Sequence, residues 1–247
     1  MKIFTRRRYQ ENFVRPLIRD EEVQVILGIS LMILLAGHFV MQYLGHTWFN
    51  ESFLDPTSPG FWLIITNSVF ITAILLLNKQ AGGWAWSQLG FAPGPKWWQT
   101  LLITLGTIIL IFVVSGFVRP LVTAVGDEPD ISHLMVLQDN LPLLLLALIL
   151  VWVTAAFLQE LVFRAFLINS LDVLLGRNDW SPWWAVIISS FIFGLMHAWQ
   201  GIGGIISTAL IGFIFGAIFL FNGRRILPLI LAHGILDSIS LYGIYSM

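Results

Sequence analysis

A chain of 247 residues that is 57% hydrophobic and 11% charged, with a mean hydropathy of +0.83, lacks the roughly one-quarter of charged residues that an ordinary soluble domain carries. This composition excludes a soluble globular enzyme and indicates a polytopic membrane protein with no polar stretch long enough to build a separate core. The absence of cysteine excludes disulfides and thiolate chemistry, leaving the redox compartment open, and the net charge of -1 points to no class of partner, nucleic acid included.

Lys2, Arg6, Arg7, Arg8, Arg15 and Arg19 precede the first apolar run, which extends from near Val23 to about Leu44. By the positive-inside rule this basic segment, residues 1–22, is expected in the cytoplasm. Its arginines read as a topology signal rather than a lipid-specific or nucleic-acid patch. The run is too long for the apolar region of a signal peptide, and no small-residue cleavage site follows it.

Residues 45–60 carry Glu51 and Asp55 but no Lys or Arg, and with Pro56, Pro59 and Gly60 they read as a short external loop. Phe61 to Leu77 returns inward. Lys79, Gly82, Gly83, Trp84, Trp86, Lys96, Trp97 and Trp98 then form a cytoplasmic interfacial segment with aromatic anchoring. A third span is expected from about Leu101 to Val118. The acidic connection 119–140, with Asp127, Glu128, Asp130 and Asp139 against Arg119, suits the outside.

Leu141 to Leu175 is longer than one crossing needs, since an α-helix of that length would run roughly 50 Å, so it must tilt, break or project. Further spans are expected to end near Trp199 and near Phe221, and a last one to start at Ile226. Arg224 and Arg225 fall on an inside loop and leave the C-terminus outside. Gly212 and Gly216 form a G-x-x-x-G that predicts close helix packing. The expectation is an all-α bundle of about seven to eight transmembrane helices, a single domain over residues 23–247, enclosing an intramembrane polar cavity.

The polar and titratable side chains within the apolar runs are His38, Gln159, Glu160, Arg164, His197, His233 and Asp237. A charge in hydrocarbon costs at least a few kcal/mol, so such residues are functional-site candidates by default. Glu160 and Arg164 are spaced i, i+4 and can pair on one helix face; His233 and Asp237 repeat that spacing. Either pair alone could be packing glue, and His38, with no motif around it, reads as a packing residue. Two histidines, an amide–acid step and a further carboxylate on three spans are together the ingredients for activating water and stabilising an oxyanion. Zinc held by His197, His233 and a carboxylate is the alternative, without a zinc-type spacing to support it.

Gln159-Glu160-x-x-x-Arg164, Phe193-x-x-x-His197 and His233-x-x-x-Asp237, in this order on successive apolar segments, resemble the three motifs of the CAAX-protease and bacteriocin-processing family, the Abi and Rce1-type intramembrane proteases. The resemblance covers about the last hundred residues, a family core near 141–245. It implies a metal-independent intramembrane glutamate protease, without cofactor, acting on hydrophobic or lipidated peptides or protein tails. It also implies that Gln159 and His197 hold the attacking water, that His233 and Asp237 face the oxyanion, and that Glu160 and Arg164 brace the site. The short N-terminal segment fits a bacterial inner-membrane member.

The family motif begins Glu-Glu, and Gln159 stands at the first of these positions. A glutamine can hydrogen-bond water but cannot take its proton, which puts about a hundred- to ten-thousandfold of general-base catalysis at stake. Either the chain is disarmed, by nature or by substitution, or Glu160 or His197 serves as the base. Adjacent α-helical residues point about 100° apart, so Glu160 reaches the water only through a rotated or distorted helix. An ionised Asp237 beside an oxyanion would repel it, so this residue must be protonated, paired or turned to hold His233. Counted from the expected inside ends, His233 lies about 10 Å and His197 about 20 Å into their spans, a mismatch that demands a displaced boundary or an irregular helix. The competing functions are a non-catalytic hydrophobic-peptide-binding pseudoprotease and a transporter using Glu160, Arg164 and Asp237 as a relay.

Overall fold

The computed structural model describes residues 54–81, 85–91, 96–126 and 128–247, together with Ser30, Ile33, Ala36 and Gly37. The basic segment, His38 and most of the first expected span lie outside the described residues. Six longer helices follow: α1 (Pro59–Ala81), α2 (Trp97–Val125), α3 (Leu141–Leu174), α4 (Ser181–Leu195), α5 (Gly201–Phe221) and α6 (Leu227–Tyr245). Five of them, α1, α2, α3, α5 with its preceding turn, and α6, are long and apolar enough to cross a membrane. The sixth, α4, has 15 residues, about 22 Å of helix, which is less than the roughly 30 Å hydrocarbon core. The described residues form an all-helical integral membrane protein.

Local chemistry sets the helix ends. Pro142, Pro182 and Pro228 stand in the first turns of α3, α4 and α6, where a missing N–H costs nothing. Asn140 caps α3 by accepting from the Leu143 amide at 3.2 Å. Beyond α3, Gly176 takes φ 81°, a left-handed conformation that glycine adopts without strain.

The central element is α3. Every residue from Leu161 to Ser170 is buried, because α4, α5, α1 and the turn Trp86–Leu89 pack around it, while α6 packs on the Val151–Gln159 stretch before it. By contrast, α2 exposes Leu102, Ile109, Phe117 and Val125, side chains that are stable only against lipid or another apolar surface. The excess length of the Leu141–Leu174 run is absorbed without a break. Two π-helical stretches, Val151–Gln159 and Leu161–Ile168, flank Glu160. An i→i+5 ladder takes more residues per turn than the 3.6 of an α-helix, so residues four apart fall slightly short of a full turn instead of past it and still share a face. Trp152, Ala156, Glu160 and Arg164 thus form one stripe down α3.

Glycine brings α4 and α5 together. A Cβ at Gly216 would sit 2.8 Å from Val186 Cγ1, one at Gly212 3.1 Å from Phe193 Cδ1, and one at Gly194 2.7 Å from both Ala209 Cβ and the Ile205 carbonyl. The G-x-x-x-G reading therefore holds, with Gly194 as the complementary small residue on the partner helix.

A buried polar cluster ties three chain segments together at the other end of α3. The Arg224 guanidinium lies 2.7 Å from Asp172 Oδ2 and also donates to Asn169 Oδ1, while the Ser181 hydroxyl donates to Asp172 Oδ1. This joins the end of α3, the start of α4 and the turn before α6. Arg224, expected from the sequence only as a topology signal, is thus a partner of Asp172 and Asn169, which no motif marks.

Candidate active site

The site is built around Glu160, whose side chain is fully buried. Its Oε1 accepts from His233 Nδ1 at 2.8 Å and lies 3.0 Å from Arg164 Nη1. Its Oε2 has no hydrogen-bond partner among the described residues, an open acceptor in an otherwise apolar surround. The Arg164 guanidinium carbon lies over two rings, 4.9 Å from the Phe193 centroid and 5.1 Å from that of Phe215. The carboxylate and the guanidinium neutralise each other, and the rings add cation–π attraction where water is excluded.

His233 connects this pair to the more exposed side of α6. Its Nδ1 faces Glu160, and its Nε2 lies 3.5 Å from Asp237 Oδ2. Exposure rises along the row, from 0% for the Glu160 side chain through 14% for His233 to 33% for Asp237. The i, i+4 spacing brings His233 and Asp237 to one face of α6, and the ring lies against Phe215 and Phe193, with centroids 5.5 Å and 6.5 Å away.

His197 sits just past the end of α4. Its Nδ1 is 2.8 Å from the Phe193 carbonyl oxygen, and its ring packs on Phe193 at 4.9 Å. A carbonyl can only accept, so Nδ1 carries the hydrogen and Nε2 presents a lone pair. The Phe193 ring thus contacts both histidines, which brings them to a common level. The two histidine rings meet over Phe193 although His197 stands as far from the start of α4 at Ser181 as the sequence suggested, and α4 itself stops at Leu195, before the expected boundary near Trp199.

Gln159 does not join this network. It is half-buried and makes no hydrogen bond to His197, His233 or Asp237, whereas its neighbour Glu160 points inward. Three further residues shape the site and were not singled out from sequence: Phe215, Trp152 and Ser238. Phe215 lies on an otherwise apolar α5, where nothing in its spacing distinguishes it from core.

Both nitrogens of His233 face carboxylates, and Nδ1 of His197 is committed to a backbone carbonyl. Among the described residues no group of three or more His, Asp and Glu side chains has a metal-holding arrangement.

Residues 141–239 match the family model described as Type II CAAX prenyl endopeptidase Rce1-like. No curated protein and no solved structure matches the chain. The match runs from the start of α3 to Ile239 in α6 and takes in Gln159, Glu160, Arg164, His197, His233 and Asp237, the residues whose motifs carried the resemblance. Residues 141–239 are thus similar to the Rce1-like type II CAAX prenyl endopeptidase family.

Proposed function

We propose that this protein is an intramembrane endopeptidase that cleaves hydrophobic or lipidated tails of membrane-associated peptides or proteins, with His197 as the general base. One observation carries the reading: the Phe193 carbonyl fixes the Nδ1–H tautomer of His197, leaving Nε2 with a lone pair and no protein partner among the described residues, beside a buried Glu160–His233 pair. The family match of the domain supports it.

In the proposed reaction Gln159 and His197 hold the water. Nε2 of His197 takes one proton as the water oxygen attacks the scissile carbonyl carbon, and the carbonyl π pair moves onto its oxygen. His233 presents its Nε2–H, which Asp237 engages only loosely at 3.5 Å, to that oxyanion. When the tetrahedral centre collapses, the C–N bond breaks, and the proton held on His197 passes to the leaving amine. Glu160 and Arg164 fix His233 through Nδ1 and act as positioning residues. Asp237 completes the row as a hydrogen-bond or charge partner of His233. The proposal extends to a bundle of about seven to eight spans around a polar cavity, in a bacterial inner membrane with the basic N-terminus cytoplasmic.

Gln159 favours a second reading, a pseudoprotease that keeps the cavity and captures hydrophobic peptides without cleaving them. Cleavage of a quenched, lipidated peptide panel by the purified protein in lipid separates the two, with Gln159→Glu assayed beside the natural chain. Slow cleavage by the natural chain, raised about a hundred- to ten-thousandfold in the variant, supports the peptidase. No cleavage by the natural chain, with activity appearing only in Gln159→Glu, supports the disarmed form.

A further inference from the structure

The two halves of the site come from α3 and α6, and neither helix alone brings Glu160 to His233. Their relative register is set elsewhere. Trp152 meets Gly234 and Ser238, while Glu160, eight residues further along α3, meets His233, so the two helices pass in opposite directions. The indole lies directly on the α6 backbone: a Cβ at Gly234 would stand 2.7 Å from each of Cε3, Cζ3 and Cη2 of Trp152. Contacts below 3.0 Å with a rigid ring cannot be relieved by a side-chain rotation, so only glycine admits the ring at this depth. The indole Nε1–H donates to Ser238 Oγ at 3.1 Å, and the Ser238 hydroxyl in turn donates to the Gly234 carbonyl at 2.6 Å. The notch sits beside the site: Gly234 follows His233 in the chain, and Ser238 follows Asp237.

We propose that Trp152, seated in the Gly234 notch and hydrogen-bonded to Ser238, is a positioning residue that sets the register of α6 against α3 and so makes the Glu160–His233 contact. Steric fit fixes how close the helices come. The directional bond to Ser238 fixes where along its axis α6 stops. A slip of one residue along an α-helix is about 1.5 Å, enough to lengthen and misalign the bond between His233 Nδ1 and Glu160 from its present 2.8 Å. A tryptophan that merely filled space would need neither the donor nor the serine. Its effect on hydrolysis rests on the peptidase reading; the register does not.

The test uses the full chain labelled with 15N-histidine in lipid nanodiscs and reads the imidazole N–H signals. The natural protein gives a downfield His233 Nδ1–H resonance from its carboxylate acceptor, and Glu160→Gln marks where that resonance moves when the acceptor is changed. Ser238→Ala and Trp152→Phe, which keep most of the packing and remove one end of the bond, are expected to move the resonance most of the way to that position. Ser238→Thr, which keeps the hydroxyl, is expected to restore it. In the peptide assay kcat falls about ten- to a hundredfold with KM unchanged, the scale of a misplacement near 1 Å. A His233 resonance that stays in place in both Ser238→Ala and Trp152→Phe overturns the proposal. If the resonance moves but the natural chain cleaves no peptide, the clamp stands and the peptidase reading falls.

Discussion

Replacing Arg164 by Met removes the positive charge that compensates a fully buried carboxylate while keeping most of the length of the side chain. The Arg164 and Glu160 side chains are 2% and 0% exposed, and Nη1 lies 3.0 Å from Oε1, so no solvent is available to replace the lost partner. Breaking such a pair from one side costs about 3–5 kcal/mol, because the other charge stays behind uncompensated. The two ring contacts at 4.9 Å and 5.1 Å are also lost as cation–π attractions, but a thioether between two aromatic rings recovers part of that term. The expected loss for Arg164→Met is therefore about 3–5 kcal/mol. Neutralising both partners in Glu160→Gln/Arg164→Met removes the orphaned charge, and the carboxamide oxygen that replaces the Glu160 carboxylate can still accept from His233. That double variant is expected within about 1–2 kcal/mol of the natural protein, because exchanging a whole buried pair for neutral groups is far cheaper than breaking it. Equilibrium unfolding in mixed micelles, arranged as a double-mutant cycle, measures all three differences. A double variant as unstable as Arg164→Met alone would show that charge compensation is not what the pair provides.

Gly194→Ala should destabilise by about 1–3 kcal/mol, since its Cβ would press on the Ile205 carbonyl and Ala209 at 2.7 Å, whereas Gly106→Ala, with nothing within 4 Å, should be neutral or stabilise by up to about 1 kcal/mol; thermal unfolding of the two variants side by side checks the contrast. Asp172→Asn should lower stability by about 2–4 kcal/mol by leaving Arg224 without its carboxylate at the junction of α3, α4 and the turn before α6, and Asp172→Asn/Arg224→Met should recover most of it. The Asp55 carboxyl is held below its ordinary value by the Thr57 hydroxyl, and further by the Thr57 amide. A depressed carboxyl contributes stability above the unfolded value of about 3.9 and loses it as pH falls through the folded value, so Thr57→Ala should move the titration of Asp55 partway back up in an NMR pH series.

Spacing made part of this site legible and tertiary register hid the rest. Glu160 with Arg164, and His233 with Asp237, could be read as facing pairs because four residues bring side chains to one helix face whatever surrounds them. That Glu160 rather than Gln159 points to His233 depends on how α3 is rotated against α6. The sequence announced irregularity in α3 only as a run too long for its membrane, and the π-helical stretches Val151–Gln159 and Leu161–Ile168 lie within that run. The meeting of His197 and His233 over Phe193 was not legible, because it depends on how α4, which stops at Leu195, is placed relative to α6 rather than on spacing along either run. Trp152 and Ser238 carried no signal of their own, since an indole in an apolar run and a serine on a helix usually report packing. Asp172 and Asn169 were passed over because they fall where a span was expected to end, and polar residues at span ends ordinarily face water. The G-x-x-x-G of α5 was readable from sequence alone, because close approach leaves glycine little competition.

The measurement that tests the central claim most directly is the initial rate of lipidated-peptide cleavage by the natural chain and by His197→Gln, both reconstituted in lipid at equal folded fraction. With His197 as the base, the natural chain, glutamine at position 159 included, turns over the peptide, and His197→Gln loses at least about a hundredfold of that rate. A natural chain that cleaves nothing, or one whose cleavage survives the loss of His197 undiminished, contradicts the account.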